Sequence, residues 1–178
     1  MNFEKLKKDF EENERKLDLH EAMYLNLSYF NHKNNVSELV NKFDNAEKLN
    51  KNECTKCGAC CWKMPCSFSF EEIKRVAEFI EITEKALFMT LLTINPYSDK
   101  IYNIIGVRQH QICNGNVLPK SEFYSLISPC KFLKDNKCLI HEVKPKTSRL
   151  FKCWEETDIN SPKYSKEEIL EYLKSINE

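Results

Sequence analysis

Four cysteines fall within eight residues, at Cys54-Thr-Lys-Cys57-Gly-Ala-Cys60-Cys61. Two thiolates separated by two residues can reach one metal ion from a single tight turn, and such pairs build zinc knuckles and iron–sulfur sites alike. Gly58 directly follows Cys57 and permits the positive φ with which a loop wraps around a metal. Cys60 and Cys61 are adjacent, and successive side chains of an extended loop diverge. One ion accepts such a pair with difficulty, whereas a polynuclear cluster or two neighbouring metals accept it more readily. The run therefore favours an iron–sulfur cluster, of the 4Fe–4S type, over a single zinc ion, which stays open as the alternative. Buried thiols acting as small hydrophobes would also account for isolated cysteines, but not easily for four beside one glycine.

The first three cysteines resemble the opening of a ferredoxin run. The fourth ferredoxin cysteine is missing: Met64 stands at its place, and Pro65 precedes Cys66 rather than following a ligand. A plain ferredoxin is excluded, and the radical-SAM spacing CxxxCxxC is absent. A second block lies far downstream and carries Cys130, Phe132-Leu133, Cys138, Ile140-His141, Lys144-Pro145, Arg149, Phe151 and Cys153. With both blocks in this order, residues 54–154 resemble the CxxCxxCC family of zinc- or iron-chelating proteins. That family follows CxxCxxCC with C-x-F-L, then C-x-I-[YH]-x-x-[RK]-P-x-x-C-R-x-[FY]-x-C. One position departs, since Ser148 stands where the family usually has cysteine. The resemblance implies metal binding. The flagellin lysine methylases are among the larger members, so a protein-modifying enzyme is a further reading that rests on analogy alone.

The candidate ligands are thus Cys54, Cys57, Cys60, Cys61, Cys66, Cys130, Cys138 and Cys153. Cys66 and Cys113 stand outside the common pattern, and each is balanced between extra ligand and core filler; Cys66 is kept because it lies in the first cysteine loop. His141 reads as structural or supporting, since a tyrosine at that position could not replace a histidine ligand. Lys144 and Arg149 could offset thiolate charge, or simply be surface cations. Trp62 and Trp154 each follow a cysteine and could shield the centre, although core packing would also explain them. His20, His32 and His110 have no ligand partner at useful spacing.

Elements on either side must bring the two blocks together. Upstream, Phe3, Leu6, Phe10 and Leu17 recur at helical spacing, as do Leu19, Met23, Leu27 and Phe30 after Asp18, and Val36, Leu39, Val40, Phe43 and Ala46 after an NHKNN turn. Ser69 with Glu72 forms a capping box that predicts a helix presenting Ile73, Val76, Ala77 and Ile80 to the core. Thr83 predicts another helix running to about Leu92. Residues 95–119 read as short β segments with Asn114-Gly115 as a turn, and Asp135-Asn136 as the tip of a small hairpin. Ser165 and Glu168 cap a last helix that turns Ile169, Leu170 and Leu173 inward. The expected fold is mostly α with a small irregular cysteine-rich region and short β segments (α+β), a single domain organised by its metal. The expected divisions are an N-terminal helical segment 1–53, a cysteine-cluster metal-binding domain 54–154 and a C-terminal helix in 155–178 packed on it.

Composition narrows the class. The 178 residues balance 27 basic against 27 acidic side chains, so no basic excess points to nucleic acid. Only three glycines are present, which disfavours a glycine-rich nucleotide loop. Nine cysteines, an odd count, argue against a complete disulfide framework. The charged start Met1-Asn2-Phe3-Glu4-Lys5 lacks the apolar core of a signal peptide, and the longest largely apolar run, 86–94, is too short to span a bilayer. The expectation is a cytoplasmic protein whose thiols live in a reducing compartment. Its cluster would serve electron transfer or an oxidoreductase or modification reaction with a partner the residues do not name. A zinc-binding structural or interaction module without catalytic activity is the alternative.

Overall fold

The computed structural model of the chain describes Lys8, Cys61 and residues 66–98, 100–107, 129–135, 137–151 and 160–178. The helices expected over residues 3–50, the loop carrying Cys54, Cys57 and Cys60, and the Asn114-Gly115 turn lie outside the described residues, as do Cys113 and Cys153.

Strand β1 (Ser67–Phe68) leads at once into helix α1 (Phe70–Phe79). The capping box predicted at Ser69 forms: the Glu72 N–H donates to Ser69 Oγ at 3.2 Å, and the Ser69 N–H donates to Glu72 Oε2 at 2.9 Å. Each such cap satisfies N–H groups that the first helical turn leaves unpaired and contributes about 1 kcal/mol. Ile73, Val76 and Ala77 are the buried face of α1. Thr83 caps α2 (Glu84–Leu91) by accepting the Ala86 N–H at 3.1 Å.

Helix α2 passes directly into strand β2 (Leu92–Ser98), which pairs antiparallel with β3 (Ile101–Gly106). Leu92 itself carries extended dihedrals, φ −121 and ψ 158. Strand β3 is central, in the order β1-β3-β2. Pro96 is tolerated because β2 is an edge strand, and the register shifts between Pro96 and Ser98. The small hairpin predicted around Asp135-Asn136 is present as β4 (Leu133–Lys134) and β5 (Lys137–Cys138). Asp135 takes φ 49, a left-handed conformation that aspartate adopts more easily than most residues. A short α3 (Lys146–Leu150) follows, and α4 (Lys166–Ser175) closes the chain with its own capping box between Ser165 and Glu168.

Phe68, Ile73, Val76, Leu87, Phe88, Leu92, Ile94, Ile104, Ile169 and Leu173 are fully buried in one cluster. It joins α1, α2, one face of the sheet and α4. Tyr102 and Tyr164 exchange backbone hydrogen bonds at 2.8 Å in both directions, which ties the segment before α4 to β3. Phe70 is stacked between Tyr164 and Tyr172, with ring centroids 4.3 and 4.1 Å away.

The expectation of a mostly helical fold organised by metal is therefore corrected. Among the described residues the architecture mixes four helices with two antiparallel sheets. A contiguous apolar core organises it, and at roughly 1.5–3 kcal/mol per fully buried large aliphatic or aromatic side chain that core is the main stabilising element. The misreading has a local cause: in Leu91-Leu92-Thr93-Ile94 a helical and a strand period both fit the apolar residues, so the strand was hidden in the end of a helix. Among the described residues no helix is long and apolar enough to cross a membrane.

Candidate metal centre

Cys66 sits just before β1, and its carbonyl accepts the Gly106 N–H at 2.9 Å, which prolongs the β1–β3 ladder by one step. The end of β3 then receives the second cysteine block. The Lys131 N–H donates to the Val107 carbonyl at 2.9 Å, and the Cys130 N–H donates to the Cys61 carbonyl at 3.0 Å. Cys130 thus lies beside both the last residue of the first cysteine run and the exit of β3. Its own carbonyl accepts the Leu133 N–H at 2.9 Å, turning the chain into the β4–β5 hairpin that ends on Cys138.

Gly106 makes room for this approach. A Cβ there would stand 3.2 Å from Cys130 Sγ and 3.6 Å from the Phe132 ring. A side chain there would press on the sulfur, which would have to give by a few tenths of an ångström.

Ser148 arrives on α3. That helix begins at Pro145, which supplies no side-chain cap. Two distant residues hold it instead. Glu72 Oε1 accepts the Lys146 N–H at 2.7 Å, and Thr147 Oγ1 donates to the Ser67 carbonyl at 3.0 Å. Arg75 braces the preceding turn by donating to the Val143 carbonyl at 3.3 Å and pairs with Glu72 at 3.8 Å. These contacts bring α3 against β1, one residue from Cys66.

Cys130 and Ser148 both bear on the Cys66 thiol there. The hydrogen bond with Cys130, burial, and the charge of Cys130 push the Cys66 thiol well above its ordinary pKa; the Ser148 bond acts in the opposite direction, and the charge of Cys138 adds to the rise. Cys61, Cys66 and Cys130 are buried and Cys138 is half-buried. The His141 N–H donates to the Cys138 carbonyl at 3.1 Å, so this residue follows the hairpin turn. Arg149 is exposed and Lys144 half-buried.

Of the eight candidate ligands, Cys61, Cys66, Cys130 and Cys138 are described, and all four are thiols. Cys54, Cys57, Cys60 and Cys153 lie outside the described residues, as do Trp62, Trp154 and the other three histidines. Among the described residues no three histidine, cysteine, aspartate or glutamate side chains are grouped tightly enough to hold a metal ion. Cys130 and Cys138 both act on the Cys66 thiol, Cys138 through its charge alone. A cavity of about 640 Å³ between α1, the start of α2 and α4 has none of the described cysteines in its lining, so it is no part of this centre.

A sequence model of the CxxCxxCC family, described as a putative zinc- or iron-chelating domain, matches residues 53–168. The chain belongs to the CxxCxxCC family. The match takes in about two-thirds of the chain, both cysteine blocks and the first residues of α4. Searches of curated proteins and of solved structures return no match. Family membership supports chelation of zinc or iron and names neither a reaction nor a partner.

The residues that the sequence reading missed around this family's cysteines are positioning residues: Gly106 behind Cys130, Thr147 of α3 bonded to β1, and Glu72 in its second role as cap of α3. Pro145 was the available signal for Glu72, since a helix that starts after proline without Ser, Thr, Asp or Asn must find its cap elsewhere.

Proposed function

We propose that this protein holds a thiolate-ligated iron centre of the iron–sulfur type, 4Fe–4S, used in electron transfer or in an oxidoreductase or modification reaction in the cytoplasm. Cys54, Cys57, Cys60 and Cys61 would supply thiolates from the first block, and Cys130, Cys138 and Cys153 from the second. One observation carries the reading: the Cys130 N–H donates to the Cys61 carbonyl at 3.0 Å, so the two blocks meet although they are some seventy residues apart. The donor set fits such a group. Cys61, Cys66 and Cys130 are buried soft thiols, and the space in front of Gly106 is kept clear for the Cys130 sulfur. When bound, the cluster would supply a one-electron redox couple tuned by burial and by hydrogen bonds to its sulfurs. The chain's own residues fix the thiolates and exclude water with Phe132 and Phe68.

Zinc in a structural or interaction module is the second reading. It is favoured by the β4–β5 hairpin, which carries Cys130 just before it and Cys138 at its end, an arrangement suited to a tetrahedral ion. Purification without oxygen, followed by iron, sulfide and zinc assays and a visible spectrum, separates the two. Iron with sulfide and a visible band bleached by dithionite is the expected result. Stoichiometric zinc without iron, after growth in iron-replete medium, would reject the iron–sulfur reading.

A further inference from the structure

The second cysteine block is also the most basic part of the described chain. Residues 129–135 and 137–151 carry Lys131, Lys134, Lys137, Lys144, Lys146 and Arg149 against Asp135 and Glu142. In residues 66–98 and 160–178 carboxylates outnumber cations instead. Lys134, Lys137, Lys146 and Arg149 are exposed, and none of the four is in an ion pair with a described residue. Two of them oppose each other. Lys134 pairs with Lys137 across β4 and β5, which brings their Cβ atoms within about 5 Å. Like charges directly opposite destabilise a ladder, and this one is only two residues deep. Stability alone would favour a carboxylate at one of the two positions.

Apolar side chains stand among these cations. Leu139 follows Cys138 and is 53% exposed, and Leu150 follows Arg149 and is 48% exposed. The β4–β5 hairpin and α3 are held on consecutive residues of β1: the Phe132 and Phe68 rings lie 6.1 Å apart, and Thr147 bonds the Ser67 carbonyl at 3.0 Å. The cations of both segments therefore belong to one region of the molecule, beside the half-buried Cys138.

We propose that the β4–β5 hairpin and α3 form the docking surface for a protein partner whose contact face is rich in carboxylates. The cations steer and orient the partner, and Leu139 and Leu150 supply apolar contact. Leucines favour a protein over a single-stranded nucleic acid, which needs aromatic platforms for its bases. Among the described residues the exposed large aromatics are Phe79 and Tyr97, on α1 and β2. A partner docked here also abuts the metal centre proposed above, and that consequence alone rests on the metal-centre reading.

The test uses the full-length chain, purified without oxygen, and two fluorescently labelled acidic proteins, a ferredoxin and a flavodoxin. Anisotropy measures binding at ~0.01 M and ~0.15 M salt, where charges are screened over about 30 and 8 Å. At least one probe should bind, more weakly at the higher salt. Lys134→Glu/Lys137→Glu should weaken it at least ~10-fold, because attraction becomes repulsion. Lys146→Glu/Arg149→Glu should do the same and replaces the hairpin variant if circular dichroism shows that one unfolded. Leu139→Ser/Leu150→Ser should weaken binding at both salt concentrations. Lys74→Glu/Lys174→Glu, exposed on α1 and α4, should stay within ~2-fold of the wild type. Absence of binding by both probes, equal weakening in the α1 and α4 variant, or tighter binding of polythymidine or of anionic phospholipid vesicles than of either protein overturns the inference. A chain that shows the expected pattern without bound iron or zinc removes the metal centre and leaves the docking surface standing.

Discussion

Glu72 accepts the Lys146 N–H at 2.7 Å, so the carboxylate that completes the capping box of α1 also caps α3, seventy-four residues further along the chain. Its second oxygen is committed to Ser69, and its side chain is only 10% exposed. Loss of the carboxylate leaves two backbone N–H groups without acceptors. Glu72→Ala should therefore cost about 2–3 kcal/mol, the sum of a cap and a charge-assisted bond. Glu72→Gln, which keeps one acceptor, should cost about half of that. Chemical denaturation measures both; equal stability of all three proteins would show that α3 is held by other contacts.

Gly106→Ala probes the approach of the second block to β3. The new Cβ would lie 3.2 Å from Cys130 Sγ, so the sulfur or the Phe132 ring must give way. Overpacking of this kind costs about 1–3 kcal/mol. If Cys130 ligates the metal, the variant should also lose metal when purified without oxygen, and Gly106→Ser should lose more. A variant as stable and as fully loaded as the wild type would show that the block can shift without consequence.

Local elements were legible and long-range meetings were not. Ser69 with Glu72, Thr83, and Ser165 with Glu168 announce their helices because a cap is an interaction over three residues. Asp135-Asn136 announces its hairpin for a similar reason. Leu92 hid the switch from α2 to β2, since the short run around it fits a helical and a strand period alike. The bond from Thr147 to the Ser67 carbonyl spans the whole β1-to-α3 topology, and no spacing in the chain encodes it. Cysteine types and their spacing identified the chemistry and the family; the fold alone brought Gly106 and Thr147 into the account.

Alkaline pH should unfold the α4 side of the core. Burial pushes Tyr164 up to about 12, and Tyr172 is pushed further still by burial and by its hydrogen bond to Glu84 at 2.7 Å. Both phenols ionise near 10 in the unfolded chain. A folded pKa above the unfolded one stabilises below pH 10 and is lost as pH rises through the folded value. The thermal midpoint should hold up to about pH 10 and fall between about 10 and 12. Tyr172→Phe should start lower, having lost the Glu84 bond, and then fall less steeply. A parallel decline in both proteins would remove Tyr172 as the cause.

Asn95 and Asn103 face each other across β2 and β3, with Asn95 Nδ2 donating to Asn103 Oδ1 at 2.7 Å. Both are buried, and Asn95 Oδ1 has no partner. Removing one amide should be worse than removing both. Asn103→Leu strands the whole Asn95 amide and should cost about 1–3 kcal/mol, whereas Asn95→Leu/Asn103→Leu should recover most of that loss. A double-mutant cycle measures the coupling. Simple additivity of the two single costs would mean that the pair does not interact.

Removal of the metal should leave the core folded. Phe68, Ile73, Leu87, Phe88, Leu92, Ile94, Ile104, Ile169 and Leu173 form most of a buried cluster that also takes in Cys61, Cys66 and Cys130, and they link α1, α2, the β1–β3 sheet and α4. The hairpin around Cys138 differs. Its strands are two residues each, and a two-stranded hairpin is marginal in water without further support. Ligation at Cys130 and Cys138 would clamp it at both ends. A chelator should therefore leave the far-ultraviolet dichroism and a cooperative melt in place, with the midpoint lowered by less than ~10 °C. Hydrogen exchange should accelerate at the amides of Leu133, Leu139 and His141, which donate to Cys130, Phe132 and Cys138. The amides of Tyr102 and Tyr164, paired with each other at 2.8 Å on the far side of the sheet, should stay protected. If protection at Tyr102 collapses together with that at Leu139, the apolar core depends on the metal after all and the division drawn between them is wrong.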